Sequence, residues 1–189
     1  MRVLCFGDSN TYGYDPRSCF GSRYDPGACW VELLAELTGW EVVNAGLCGR
    51  RIPQRPYEIR RVRALLSAHE PDLLLVMLGT NDLLQGLSAS ESCARMERFL
   101  AQLSAPRVLL VAPPAMKRGP WVTEDRLVVE SVRLGEAYGR LSAHMGLSFA
   151  DAGPWNVDLA FDGVHFSQEG HKAFAKELAR KFLLVPPFE

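Results

Sequence analysis

Residues 72–78 read "DLLLVML", six consecutive apolar side chains between Pro71-Asp72 and Gly79. A strand with one wet face would alternate apolar and polar residues, and a run this short is below ordinary helix length. An unbroken run suits a strand covered on both faces, as in the middle of a parallel sheet. Working outward, four more short runs have strand character: "RVLCF" (2–6), which stops at Gly7; "EVVNAG" (41–46); "RVLLVA" (107–112), which ends at Pro113-Pro114; and "LSFAD" (147–151).

Helical spacing fills the intervals. Trp30, Leu33, Leu34 and Leu37 share a face in residues 30–38 before Gly39, and Ile59, Val62, Leu65 and Leu66 do so in residues 55–69. Ser88 and Glu91 have capping-box spacing ahead of Met96, Phe99, Leu100 and Leu103. Thr123 is expected to cap a helix carrying Leu134, Tyr138, Leu141 and Met145, closed by Gly146. Ser167 is expected to cap the last helix, with Phe174, Leu178 and Phe182 inward and an end before Pro186. Strict alternation of strands and helices predicts an α/β fold. Right-handed crossovers would give a three-layer α/β/α sandwich around a five-stranded parallel sheet. A length of 189 residues with 48% hydrophobic composition fits one domain over 1–189. The longest unpatterned segment, residues 12–29, is expected to be a lid or pocket wall.

Composition narrows the function. A formal net charge of -1 offers no basic surface for nucleic acid or an anionic membrane. No apolar stretch approaches the roughly eighteen residues of a membrane span, and the N-terminus enters a strand at once without a leader pattern, so a cytoplasmic location is expected. Five cysteines, odd in number and without a CxxC pair, point to reduced thiols. "GDSNTYG" does not fit G-x-G-x-x-G, no Walker sequence occurs, and no His and carboxylate set is spaced for an ion, so neither a cofactor nor a metal is expected.

In open parallel sheets ligands bind beyond the carboxyl ends of the strands. There this chain places "GDSNT", "NAGLCGR", "LGTNDL", "APPAMKRGPW" and "DAGPWNVDLAFDGVHFS". Ser9, Gly46, Asn81, Asp162 and His165, residue types used in acyl transfer, thus fall on one edge. Four of them also have an ordinary reading: Ser9 as a helix cap, Asn81 as a turn former, Asp162-Gly163 as a turn and His165 as a loop histidine with a satisfied hydrogen bond. Asp158 is a second carboxylate near His165. Arginines 50, 51, 55, 60, 61 and 63 suit a solvated helix face, with Arg50 and Arg51 bordering the Gly46 loop. Trp121, Trp155 and Phe161 lie in loops expected to rim the same edge, either shaping a pocket or packing the loops. Arg50, Trp155 and Phe161 are taken as the substrate-binding candidates.

Four blocks in order, "FGDSNTYG", "NAGLCGR", "MLGTND" and "DGVHFSQEG", make the chain resemble the SGNH (GDSL-type) hydrolases along nearly its whole length. The branch it looks most like is that of small arylesterases and acetylesterases, some of them acyltransferases. Asn10 stands where the family name has leucine. The resemblance implies a flavodoxin-like SGNH hydrolase fold, Ser9 as nucleophile, His165 as general base and Asp162 as the carboxylate orienting it. It further implies an oxyanion hole from the Ser9 and Gly46 N–H groups and the Asn81 amide. The activity implied is serine esterase chemistry on short-chain, chiefly acetyl, esters of alcohol, aryl or carbohydrate leaving groups, with acyl transfer and a homo-oligomer as further implications. A non-catalytic binding domain, or a lysophospholipase or thioesterase of the same fold, is the alternative.

Overall fold

The apolar run at 72–78 becomes the middle strand of a five-stranded parallel sheet. The computed structural model describes residues 1–18, 21–105 and 107–184. The strands are β1 (Arg2–Gly7), β2 (Glu41–Gly46), β3 (Leu73–Met77), β4 (Val108–Ala112) and β5 (Ser148–Asp151), in the spatial order β2-β1-β3-β4-β5. The helices are α1 (Ser9–Tyr12), α2 (Trp30–Thr38), α3 (Pro56–His69), α4 (Thr80–Leu84), α5 (Ala89–Leu100), α6 (Asp125–Met145) and α7 (Gln168–Leu184).

Two-residue alternation along the central strands builds two hydrophobic layers. Leu4 and Phe6 of β1 with Leu74 and Val76 of β3 face α3, α5 and α6, while Val3 and Cys5 with Leu73, Leu75 and Met77 face α2 and α7. This is the expected three-layer sandwich. Burying each such leucine contributes about 1.5–3 kcal/mol, so most of the apolar sequence is committed to holding helices on both faces. The strand order reverses at β1, between β2 and β3, and a ligand crevice in such sheets opens at that reversal.

The Ser88–Glu91 capping box forms, and Ser167 Oγ accepts from the Gly170 N–H at 3.0 Å. Thr123 is not a cap: Glu124 takes the N-cap position of α6, with no side-chain bond to the helix. Leu37 is exposed, because α2 meets the core through Trp30, Val31 and Leu34. Helix α4, five residues long, was not anticipated, since so short a turn carries no apolar period; α1, four residues long, lies where a cap at Ser9 was the ordinary reading. Cys5, Cys29, Cys48 and Cys93 are free thiols; Cys19 and the expected end of α7 before Pro186 lie outside the described residues. Among the described residues no helix is long and apolar enough to cross a membrane.

Helix α7 also carries a buried imidazole. His171 Nδ1 accepts the Trp30 N–H at 3.2 Å, and the ring stands edge-on to Tyr24 and Phe166. Burial, assisted by the charges of Arg23 and His165, pushes its pKa down to about 3. The unfolded chain therefore takes up this proton at higher pH than the folded one, and stability is lost as pH falls from about 6.5 toward 3. In His171→Gln the side-chain carbonyl can still accept the Trp30 N–H, but the titration is gone. Urea unfolding at pH 7 and pH 4 should show the variant gaining about 3 kcal/mol relative to wild type on acidification. A difference that stays constant with pH would contradict this.

Candidate active site

At the end of β1 the chain turns directly into α1, and Asp8 is its cap: Asp8 Oδ1 accepts the Asn10 N–H at 3.0 Å. Ser9 is therefore the first helical residue, not the cap, and its hydroxyl is left for another partner. That partner is His165, whose Nε2 lies 3.0 Å from Ser9 Oγ. His165 Nδ1 lies 2.6 Å from Asp162 Oδ2, while Asp162 Oδ1 accepts the N–H groups of Val164 and His165 at 2.9 and 3.0 Å. An ionised carboxylate can only accept, so Nδ1 carries the ring proton and the Nε2 lone pair faces the serine hydroxyl. All three residues are buried.

Burial raises the Asp162 carboxyl, but the hydrogen bonds from the His165 ring and from the His165 and Val164 N–H groups outweigh it and hold the group below the usual carboxylate range. Asp8 goes the other way: burial pushes it up to about 6 against the Asn10 N–H and the charges of His165 and Arg50. Asp158, the second carboxylate, is turned away from His165 and accepts the Ser167 hydroxyl at 2.6 Å. The unpatterned segment after α1 supplies a wall: the Tyr14 ring lies tilted against the His165 ring at 4.6 Å between centroids, and Trp121 meets the same ring edge-on at 5.2 Å. No periodic signal marks Tyr14, which lies in an irregular loop and is placed by the Tyr14–Arg23 bridge.

Around Ser9 the structure gathers N–H donors. Asn81, from α4 after β3, donates through Nδ2 to the Arg50 carbonyl at 3.1 Å and lies 3.4 Å from Asp8 Oδ2. The Gly46 N–H is already engaged, donating to Asn44 Oδ1 at 3.0 Å. Glycine is required at 46 for packing: a Cβ there would sit 2.1 Å from the Tyr12 backbone nitrogen of α1. The same loop holds Gly49, whose φ of +72° belongs to the left-handed region. Among the described residues neither the Gly49 nor the Ser9 N–H meets an acceptor, and Gly49 adjoins the Arg50 carbonyl that holds Asn81.

The three substrate-binding candidates part company. Arg50 folds inward, donating to the carbonyls of Gly7 (2.7 Å) and Ala45 and stacking 4.1 Å over the Phe6 ring, which makes it a brace between the ends of β1 and β2. Trp155 packs on Phe174 at 5.2 Å in the layer beneath α7, so its ring serves the core. Phe161 is 64% exposed on the loop that carries Asp162, and Trp121, 53% exposed, meets the His165 ring and so borders the site.

Residues 5–173 match the model of the GDSL-like Lipase/Acylhydrolase family. The acetylxylan esterase of Xylanibacter ruminicola is 24% identical over 212 residues, taking in 95% of this chain and 42% of that protein, so the chain spans less than half the length of this relative. Among solved structures, the aryl esterase of M. smegmatis has a TM-score of 0.84 at 27% identity, covering 97% of this chain and 99% of that one. A carbohydrate acetylesterase from Sinorhizobium meliloti also has a TM-score of 0.84, at 28% identity, covering 97% and 98%.

Proposed function

Because the chain belongs to the GDSL-like lipase/acylhydrolase family, we propose that it is a serine esterase acting on short-chain, chiefly acetyl, esters. The observation that carries this reading is the hydrogen-bonded chain Ser9 Oγ–His165 Nε2 and His165 Nδ1–Asp162 Oδ2, at 3.0 and 2.6 Å. A serine hydroxyl is a weak nucleophile until a base takes its proton during attack. Here Ser9 Oγ bonds to the ester carbonyl carbon as its proton passes to Nε2, and Asp162 stabilises the imidazolium. His165 then protonates the leaving alcohol, and an acyl-Ser9 remains. Water, deprotonated by the same Nε2, releases the acid and restores Ser9.

The developing oxyanion is met by the Ser9 N–H and by the Asn81 amide, which turns to it from the Arg50 carbonyl and the Asp8 carboxylate that hold its Nδ2 before substrate enters. From the loop after β2 we assign Gly49 in place of Gly46, whose N–H is held by Asn44. Donors of this kind are each worth about 3 kcal/mol of transition-state stabilisation. The exposed faces of Trp121 and Phe161 favour a leaving group with a ring, aryl or sugar. The names of the relatives, two of them esterases of acetylated carbohydrate and one an aryl esterase, support the same substrate class.

A series of aryl esters from acetate to laurate, run in water with and without an added alcohol, tests the substrate reading. kcat/KM is expected to be highest for acetate and to fall by about tenfold or more by the octanoate, since each methylene a pocket cannot accept is worth about 1–3 kcal/mol. Faster cleavage of the long chains would overturn the short-acyl assignment. An acylated alcohol among the products would extend it to transfer, and free acid alone would exclude transfer.

A further inference from the structure

Asn10, the residue that replaces the leucine of the family name, has every polar group engaged. Its backbone N–H is held by Asp8, and its carbonyl accepts the Trp30 indole N–H at 2.9 Å. Trp30 is itself fully buried against Phe174. The side chain, also buried, reaches across 154 and 156 positions of sequence: Nδ2 donates to the Val164 carbonyl at 3.1 Å, and Oδ1 accepts the Phe166 N–H at 2.9 Å. Those two backbone groups flank His165. The pair of bonds has the pattern by which a residue on one strand of a parallel ladder grips the two groups flanking a residue on its neighbour, with a side-chain amide standing in for the second backbone.

The consequence is geometric. The nucleophile and its base come from opposite ends of the chain, and β5, which precedes the His165 loop, is three strands away from β1 in the sheet. A tether that starts one residue after Ser9 and closes on both sides of His165 ties these two segments together next to the reacting atoms. We propose that Asn10 is a positioning residue that sets the Ser9 Oγ–His165 Nε2 distance by clamping the His165 backbone. This rests on the Ser9–His165 mechanism given above and deepens it. Leucine could fill the volume but could satisfy neither Val164 O nor Phe166 N–H, so chains with leucine at this place must hold the histidine segment by other contacts.

Asn10→Ala and Asn10→Asp test it, with Ser9→Ala run in parallel and kcat expressed per molecule of folded protein, quantified by circular dichroism. Asn10→Ala is expected to lose about 10–100-fold in kcat with KM within about twofold, the penalty of a displaced reacting group. Asn10→Asp keeps the shape, so it remains informative if the alanine variant does not fold. Its carboxylate repels the Val164 carbonyl, whereas its protonated form can donate to that carbonyl and still accept the Phe166 N–H. Its activity relative to wild type is therefore expected to rise as pH falls, a change that mere loss of stability would reverse. Both Asn10 variants within twofold of wild type, with an unchanged pH profile and an inactive Ser9→Ala, would overturn the positioning role alone. Full turnover by Ser9→Ala would overturn the mechanism and the positioning role together.

Discussion

Ser9→Ala is expected to lower kcat for aryl acetate by about four to six orders of magnitude while the protein stays folded. The substitution removes one oxygen from a buried site and leaves its N–H in place, so α1 and its Asp8 cap are untouched. What disappears is the atom that must bond to the acyl carbon; His165 Nε2 has no other nucleophile bound at 3.0 Å. The residual rate should exceed the uncatalysed one, because the N–H donors and the aromatic border remain. Steady-state kinetics with a stopped reaction checked for contaminating esterase measures it, and turnover near the wild-type level would mean that Ser9 is not the nucleophile.

Asp162→Asn is expected to reduce kcat by about 10⁴-fold, again with the fold intact. The asparagine oxygen can continue to accept the Val164 and His165 N–H groups, which fixes the orientation of the new amide and points its NH2 at His165 Nδ1. A donor now faces a position that had to be N–H, so Nδ1 gives up its proton and Nε2 takes one. Nε2 then presents hydrogen to Ser9 Oγ and cannot accept the serine proton. Flipping the amide would restore the tautomer only by setting NH2 against two backbone donors. Circular dichroism and the rate together separate this from unfolding. Wild-type kcat in Asp162→Asn would remove Asp162 from the mechanism.

Much of this architecture was written in the local pattern. Six apolar residues at 73–78 suit a strand with two covered faces, and Leu74 and Leu75 do enter opposite layers. The Ser88–Glu91 box, the Gly39 and Gly146 stops and the polar blocks after each strand are properties of neighbouring residues, so they can be read without coordinates. The irregular segment 12–29 carried composition but no period, and its contribution, Tyr14 against His165, depends on a contact between distant loops. Trp155 and Trp121 looked alike as loop aromatics, and only packing separated them, one ring on Phe174 and the other on His165. Gly46 had the right residue type for an open N–H. Its real constraint is the Tyr12 backbone pressed against it, its N–H is held by Asn44, and the Gly49 N–H of the same loop meets no acceptor among the described residues.

The sequence by itself determined the alternation of strands and helices, the three-layer sandwich and the single sheet edge that carries Ser9, Asp162 and His165, because periodicity, capping and short blocks are local. The tertiary structure decided which donors are free, which aromatics face the histidine and how Asn10 joins two segments more than 150 residues apart. Those are matters of hydrogen-bond competition and close approach across the fold, and a competition between partners has an outcome only once all of them are brought within reach.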